Sequence, residues 1–146
     1  VCQTNYHETD QSVVVLLRQD DEFIVINQYR KPIDSYIIQL PGGGVKQGEK
    51  LEDAARRELH EETGYQCGEL DYLGMIHAAP WIENEMTHIY YSEEILGRDA
   101  QQLESHEMIE VIHIPVSQCL EQIKKSIITD PEVCYAVLQL KLQERI

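Results

Sequence analysis

The stretch that constrains this chain most is LEDAARRELHEET, Leu51 to Thr63. It is built mostly from good helix formers and is followed by Gly64, a residue suited to end a helix. At about 100° per residue, Leu51, Ala55 and Leu59 fall on one stripe, which should face a core. Glu52, Asp53, Arg56 and His60 lie on the opposite side, as solvated residues should. Glu58 and Glu62 do not join them. Both fall within the apolar stripe, close to Leu51 and Ala55, and Glu61 sits at its edge. Carboxylates buried without partners are expensive, so these need countercharge or must stay protonated. Arg57 alone can hardly neutralise three of them. A divalent cation can, and oxygen-only ligands select Mg²⁺ or Mn²⁺ over zinc.

The residues before the helix strengthen this reading. Pro41-Gly42-Gly43-Gly44 reads as a loop by composition. Its bare backbone lets a carbonyl coordinate a metal and lets a phosphate approach closely. Gly43 to Gly48 has the glycine spacing of a P-loop, but Glu49 and Lys50 stand where that motif needs Lys and then Ser or Thr. An acid in place of the phosphate-binding lysine rules the P-loop out.

Elsewhere, SVVVLLR (Ser12 to Arg18) and EFIVINQY (Glu22 to Tyr29) read as a hairpin across the polar Gln19 to Asp21. YIIQL, ELDYLGMIHA, THIYYSEEI and MIEVIHI are further strand candidates. Val116 to Ser126 reads as a short helix with Lys124 and Lys125 in its last turn. Asp130 can cap a final helix that Pro131 opens, with Val133, Ala136, Val137, Leu140 and Leu142 at helical spacing. Mixed strands and helices over 146 residues imply an α/β domain, a sheet covered by helices on its faces.

Charge narrows the partners. With 26 acidic against 12 basic side chains, the net charge is −14, which argues against nucleic acid. A phosphate substrate remains compatible when cations bridge the two. No apolar run approaches the roughly 20 residues of a membrane span, and the N-terminal residues 1–11 are polar, without a hydrophobic signal segment. Cys2, Cys67, Cys119 and Cys134 are scattered, as reduced thiols of a cytoplasmic protein would be, and form no zinc cluster.

Read whole, GGVKQGEKLEDAARRELHEETGY, Gly43 to Tyr65, resembles the Nudix box. Gly43, Glu49, Arg57-Glu58-Leu59, Glu61-Glu62 and Gly64 all stand at that family's spacing, and Tyr65 is the one departure, where an aliphatic residue is usual. The resemblance implies one Nudix hydrolase domain over residues 1–146, an α/β/α sandwich with a mixed sheet, and Mg²⁺-dependent hydrolysis of a diphosphate. It makes Glu58, Glu61 and Glu62 the metal-binding glutamates, oriented by Arg57 and Glu49, with the carbonyl of Gly42 or Gly43 completing the shell.

Outside the box the chain is similar to the ADP-ribose pyrophosphatase branch. The approach NQYRKP to QLPGGG, Pro80 sixteen residues after Gly64, and Glu85 carry that likeness. Trp81 departs from it, since glycine often follows the marker proline. The branch also tends to carry an N-terminal β domain, for which 42 residues before Gly43 leave too little chain. The implied substrate is ADP-ribose, cleaved to AMP and ribose 5-phosphate, by an enzyme that dimerises. Arg30 is the candidate phosphate clamp, Trp81 a candidate stacking residue, and Glu85 a candidate substrate contact. The general base falls in QQLESHEMIE, with Glu104 first and Glu107 second, the latter also a candidate metal ligand; Glu61 is the fallback. Two alternatives are a nucleoside triphosphate pyrophosphatase and a sensor of the same fold that binds without cleaving.

Overall fold

A computed structural model describes residues 10–146; Cys2 and most of the polar N-terminal stretch lie outside the described residues. β1 (Gln11–Gln19) and β2 (Glu22–Arg30) form the expected antiparallel hairpin, turning at Asp20 with a positive φ of 54°. A 3-10 turn (Lys31–Ile33) leads to β3 (Ser35–Gln39), which pairs antiparallel with β2. β4 (Gly42–Gly44) precedes α1 (Leu51–Thr63); β5 (Tyr65–Cys67), β6 (Asp71–Ile76), β7 (Met86–Ser92), β8 (Ile95–Arg98) and β9 (Ile109–Pro115) follow. The chain ends in α2 (Val116–Lys124) and α3 (Pro131–Leu142).

The large sheet runs β3-β2-β1-β7-β6, with β4 also on β1 and β9 also on β2. It is mixed, because β1 and β7 run parallel while the other pairs are antiparallel. β7 lines one edge of β1 from Gln11 to Leu17. The other edge is divided: β4 takes Ser12 to Val14 and β2 takes Leu17 to Gln19. The two hairpin strands therefore separate, and a gap opens between β3 and β4.

Both faces of the sheet are covered, so β1 is apolar without alternation. Val13, Val15, Leu17, Ile24 and Tyr90 pack with Ala54, Ala55 and Leu59 of α1. Val14, Leu16, Phe23, Val25 and Tyr91 pack with Cys119 of α2 and Val133, Ala136, Val137 and Leu140 of α3. This is the expected α/β/α layering. Asp130 caps α3 through the Val133 amide, as its position before Pro131 suggested.

Four local expectations need correction. The glycine run is not a loop but strand β4, paired with β1. A Cβ on Gly42 would stand 2.0 Å from the Val13 carbonyl oxygen, so only glycine allows this approach. The run from Thr87 to Ile95 breaks at Glu93 and Glu94, and its end joins the unforeseen β5 in a second, two-stranded sheet. The Val116 helix stops at Lys124, with Ser126 at a positive φ of 58°. Leu142 does not continue the apolar face of α3; it is 68% exposed.

Candidate active site

Helix α1 carries the site because its periodicity turns Glu62 inward. Glu62 is 4% exposed, and its Oε1 accepts a 2.6 Å hydrogen bond from the Gly42 amide. Along β4 the Val15 amide donates to Pro41 and the Val45 amide to Gln11. By antiparallel alternation Gly43 then faces β1, while the backbone groups of Gly42 and Gly44 point off the ladder, towards α1. Gly43 is needed for a second reason: a Cβ there would come 2.6 Å from the Glu58 carboxyl carbon.

Arg57 organises the carboxylates around it. Its Nε and Nη2 donate to Glu49 at 2.9 and 3.0 Å, its Nη1 to Glu58 at 2.8 Å, and Nη2 also to the Gly44 carbonyl at 3.0 Å. Glu61 stands 3.5 Å from Nη1. The guanidinium holds the Glu49 carboxyl down at about 2. Glu58 is raised, because burial outweighs its bond to Arg57. Glu62 is pushed up to about 8, by burial first and then by the neighbouring charges of Glu58 and Glu107; the Gly42 amide opposes this.

The second group of acids arrives through backbone bonds to the end of α1. Gly64 adopts the left-handed conformation, with φ 80°, and accepts from the Asp99 amide. The Gln102 amide donates to the Glu61 carbonyl at 2.7 Å, and Gln101 Nε2 to the Glu62 carbonyl at 2.7 Å. The loop after β8 is thereby tied to the helix end, and Glu104 and Glu107 come over the cleft. The Glu104 amide donates to Glu107 Oε1 at 3.0 Å. Glu58, Glu61, Glu104 and Glu107, with Arg57, Lys46 and Gly42 to Gly44, line one cleft of about 300 Å³.

The donor set suits a hard divalent cation: crowded carboxylates whose ionisation burial opposes, beside a backbone carbonyl. Among the described residues, no three acidic, histidine or cysteine side chains already surround a common point at ligating distance. Arg57 supplies the positive charge among them instead. A cation would draw these carboxylates together, and Glu58, Glu61, Glu62 and the Gly42 carbonyl are the groups that would hold it.

An adjoining cleft of about 170 Å³ fills the gap between β3 and β4. Gln28, Arg30, Gln39, Glu85 and Glu132 line it, and it shares Gly42 to Gly44 with the first. Arg30 and Glu85 thus line the same cleft. Trp81 does not join them. It is 81% exposed on the turn after Pro80, lines neither cleft, and does not cap the core. Sequence reasoning missed Lys46, Gln28, Gln39 and Glu132. Gln28 had a signal, because it shares the alternation of the buried Ile24 and Ile26 on β2.

The family model described as "NUDIX domain" matches residues 8–132. The chain is 31% identical over 132 residues to the methanol dehydrogenase activator of Bacillus methanolicus, covering 90% of this chain and 71% of that one. It is 29% identical over 132 residues to the ADP-ribose pyrophosphatase of Bacillus subtilis, with the same coverage. A solved structure described as an ADP compounds hydrolase superposes with a TM-score of 0.77 at 22% identity, covering 94% of this chain and 76% of that one, a likeness of fold.

Proposed function

Because the chain belongs to the NUDIX family of hydrolases, enzymes that generally use divalent metal ions, we propose that it cleaves ADP-ribose in the presence of Mg²⁺, giving AMP and ribose 5-phosphate. The observation that carries this reading is the single cleft in which box carboxylates, loop carboxylates and the glycine backbone converge. The ADP-ribose pyrophosphatase of Bacillus subtilis supports the choice of substrate.

Glu58, Glu61 and Glu62, with the Gly42 carbonyl, would hold the cation, which when bound neutralises diphosphate charge and acidifies water. Arg57 and Glu49 fix the orientation of Glu58 and Glu61 before substrate arrives. Glu104 takes the proton from the attacking water, and it lines the same cleft as the glycine strand. Glu107 acts nearer the cation, since its charge is felt by both Glu58 and Glu62. Arg30 contacts the phosphate on the side of the second cleft and Glu85 the group attached to it. Positioning and charge stabilisation supply most phosphoryl-transfer catalysis, so these parts suffice. A homodimer acting on a small molecule in the cytoplasm completes the reading; Cys67, Cys119 and Cys134 are free thiols.

The test is a hydrolysis screen with Mg²⁺ on ADP-ribose, GDP-mannose and deoxynucleoside triphosphates. AMP and ribose 5-phosphate should form, and Glu62→Gln should keep the fold and lose turnover. Preferred release of pyrophosphate from a triphosphate would move the assignment to a triphosphate pyrophosphatase. Binding of ADP-ribose without any cleavage would move it to a sensor.

A further inference from the structure

Gln28 is 7% exposed, yet its side-chain amide makes no hydrogen bond with any described residue. No buried side-chain nitrogen or oxygen among the described residues lacks a partner, so this amide opens onto the cleft it lines rather than into the core. With the rest of the residue packed away and no described residue bonded to it, the amide is held at the cleft surface with its donors and acceptor open to a ligand.

The surroundings are fixed in place. Arg30 Nε donates to Gln39 Oε1 at 2.7 Å, and Gln39 Nε2 donates to Asp130 Oδ1 at 2.9 Å. Asp130 in turn caps α3. This chain of bonds holds Arg30 and the first turn of α3, and so sets Glu132 on the cleft wall facing Glu85. Two carboxylates there call for donors. Glu132 is pushed up to about 7, by burial first and then by Asp130 and Glu85, while Arg30 opposes the shift. Arg30 also acts on Glu62, which places its charge between the two clefts. The ligand groups that answer an amide and two carboxylates at once are hydroxyls, which both donate and accept. No aromatic side chain lines this cleft, so it offers no face on which a base could stack.

We propose that the cleft between β3 and β4 is the subsite for the polyhydroxylated half of the substrate, a sugar joined to the diphosphate, read by the Gln28 amide with the carboxylates of Glu85 and Glu132. The inference rests on the diphosphate-hydrolase reading and adds specificity residues to it. A diphosphate lying along β4 reaches from the acidic cleft to this one past Arg30.

The experiment compares ADP-ribose with the methyl ester of ADP, which has the same diphosphate and no second sugar, on the wild type, Gln28→Leu and Glu132→Gln. Each substitution should raise KM for ADP-ribose about tenfold with kcat little moved. The preference for ADP-ribose over the methyl ester should narrow by the same factor. Equal losses on both substrates would overturn the proposal, because damage to the fold does not discriminate between them. Should the wild type cleave neither compound, calorimetry with ribose 5-phosphate separates the two readings. Binding weakened in both variants supports the subsite, and no binding to the wild type overturns it.

Discussion

Replacing Glu62 by glutamine should stabilise the protein in the absence of divalent cations, and more so as the pH rises. The glutamine carbonyl can still accept from the Gly42 amide, so geometry is retained. What changes is the ionisation. In the fold the Glu62 carboxyl sits near 8, against about 4.5 when free. Between those values the unfolded chain loses its proton while the folded chain keeps it. Stability therefore falls as pH climbs from about 4.5 to 8 and levels off above. Each pH unit in that window is worth about 1.4 kcal/mol, giving an upper limit of about 4 kcal/mol at pH 8. Water entry and side-chain relaxation reduce this, so an advantage of about 2 kcal/mol for Glu62→Gln is expected at pH 8, against near equality at pH 5. Urea unfolding in a chelator at pH 5, 6, 7 and 8 measures it. Glu58 shifts in the same direction in both proteins, and the repulsion from Glu62 that it loses in the variant adds to the difference with the same sign; Glu49 acts only below about 4.5. Adding Mg²⁺ at pH 8 should then stabilise the wild type and leave Glu62→Gln nearly unchanged. A difference between the two proteins that stays flat with pH would refute the claim that Glu62 is held inward against its charge.

Arg57→Ala leaves Glu49 and Glu58 without their cation, and should cost about 1–3 kcal/mol at pH 7 by thermal or urea unfolding. Because Glu49 is held at about 2, part of that stability disappears as pH falls from about 4.5 to 2, so the variant and wild type should converge in acid. Gly43→Ala should fold, since the far end of Glu58 can yield to its Cβ, but turnover should drop about 100-fold through the displaced carboxylate. Gly42→Ala meets backbone instead and should fail to give folded protein, read by near-ultraviolet circular dichroism. Glu104→Gln should lower kcat about 10²–10⁴-fold and flatten the acidic limb of the pH–rate profile. Glu107→Gln should chiefly raise the Mg²⁺ concentration needed for half-maximal rate.

How much could be read beforehand depends on how local the cause was. The inward turn of Glu62 follows from helical periodicity alone, and the sequence shows it without any partner. Asp130 and Pro131 mark the start of α3 for the same reason. The strand formed by Gly42 to Gly44 was illegible, because three glycines carry no side-chain pattern and pair only once β1 is present to pair with. Glu104 and Glu107 were placed through family likeness; their position comes from Gln101 and Gln102 bonding the end of α1, thirty-nine and forty-one residues earlier in the chain. Trp81 shows the reverse difficulty: beside a proline it read as a stacking residue, and its turn carries it into solvent, away from both clefts.

The distribution of positive charge explains why an acidic chain can still take an acidic substrate. Arg57, the basic group deepest among the box carboxylates, is already committed to Glu49, Glu58 and the Gly44 carbonyl. It has little left to offer a phosphate. Lys46 and Arg30 stand at the margins, and at least five carboxylates, Glu58, Glu61, Glu62, Glu104 and Glu107, stand between or behind them. Bringing a diphosphate into this cleft on protein charge alone would place like charges together in a partly desolvated space. The same carboxylates become an asset once cations from solution occupy the space between them and the phosphates. Net charge therefore does not exclude a phosphate substrate: with Arg57 committed, divalent ions would add to the attraction that Lys46 and Arg30 alone supply.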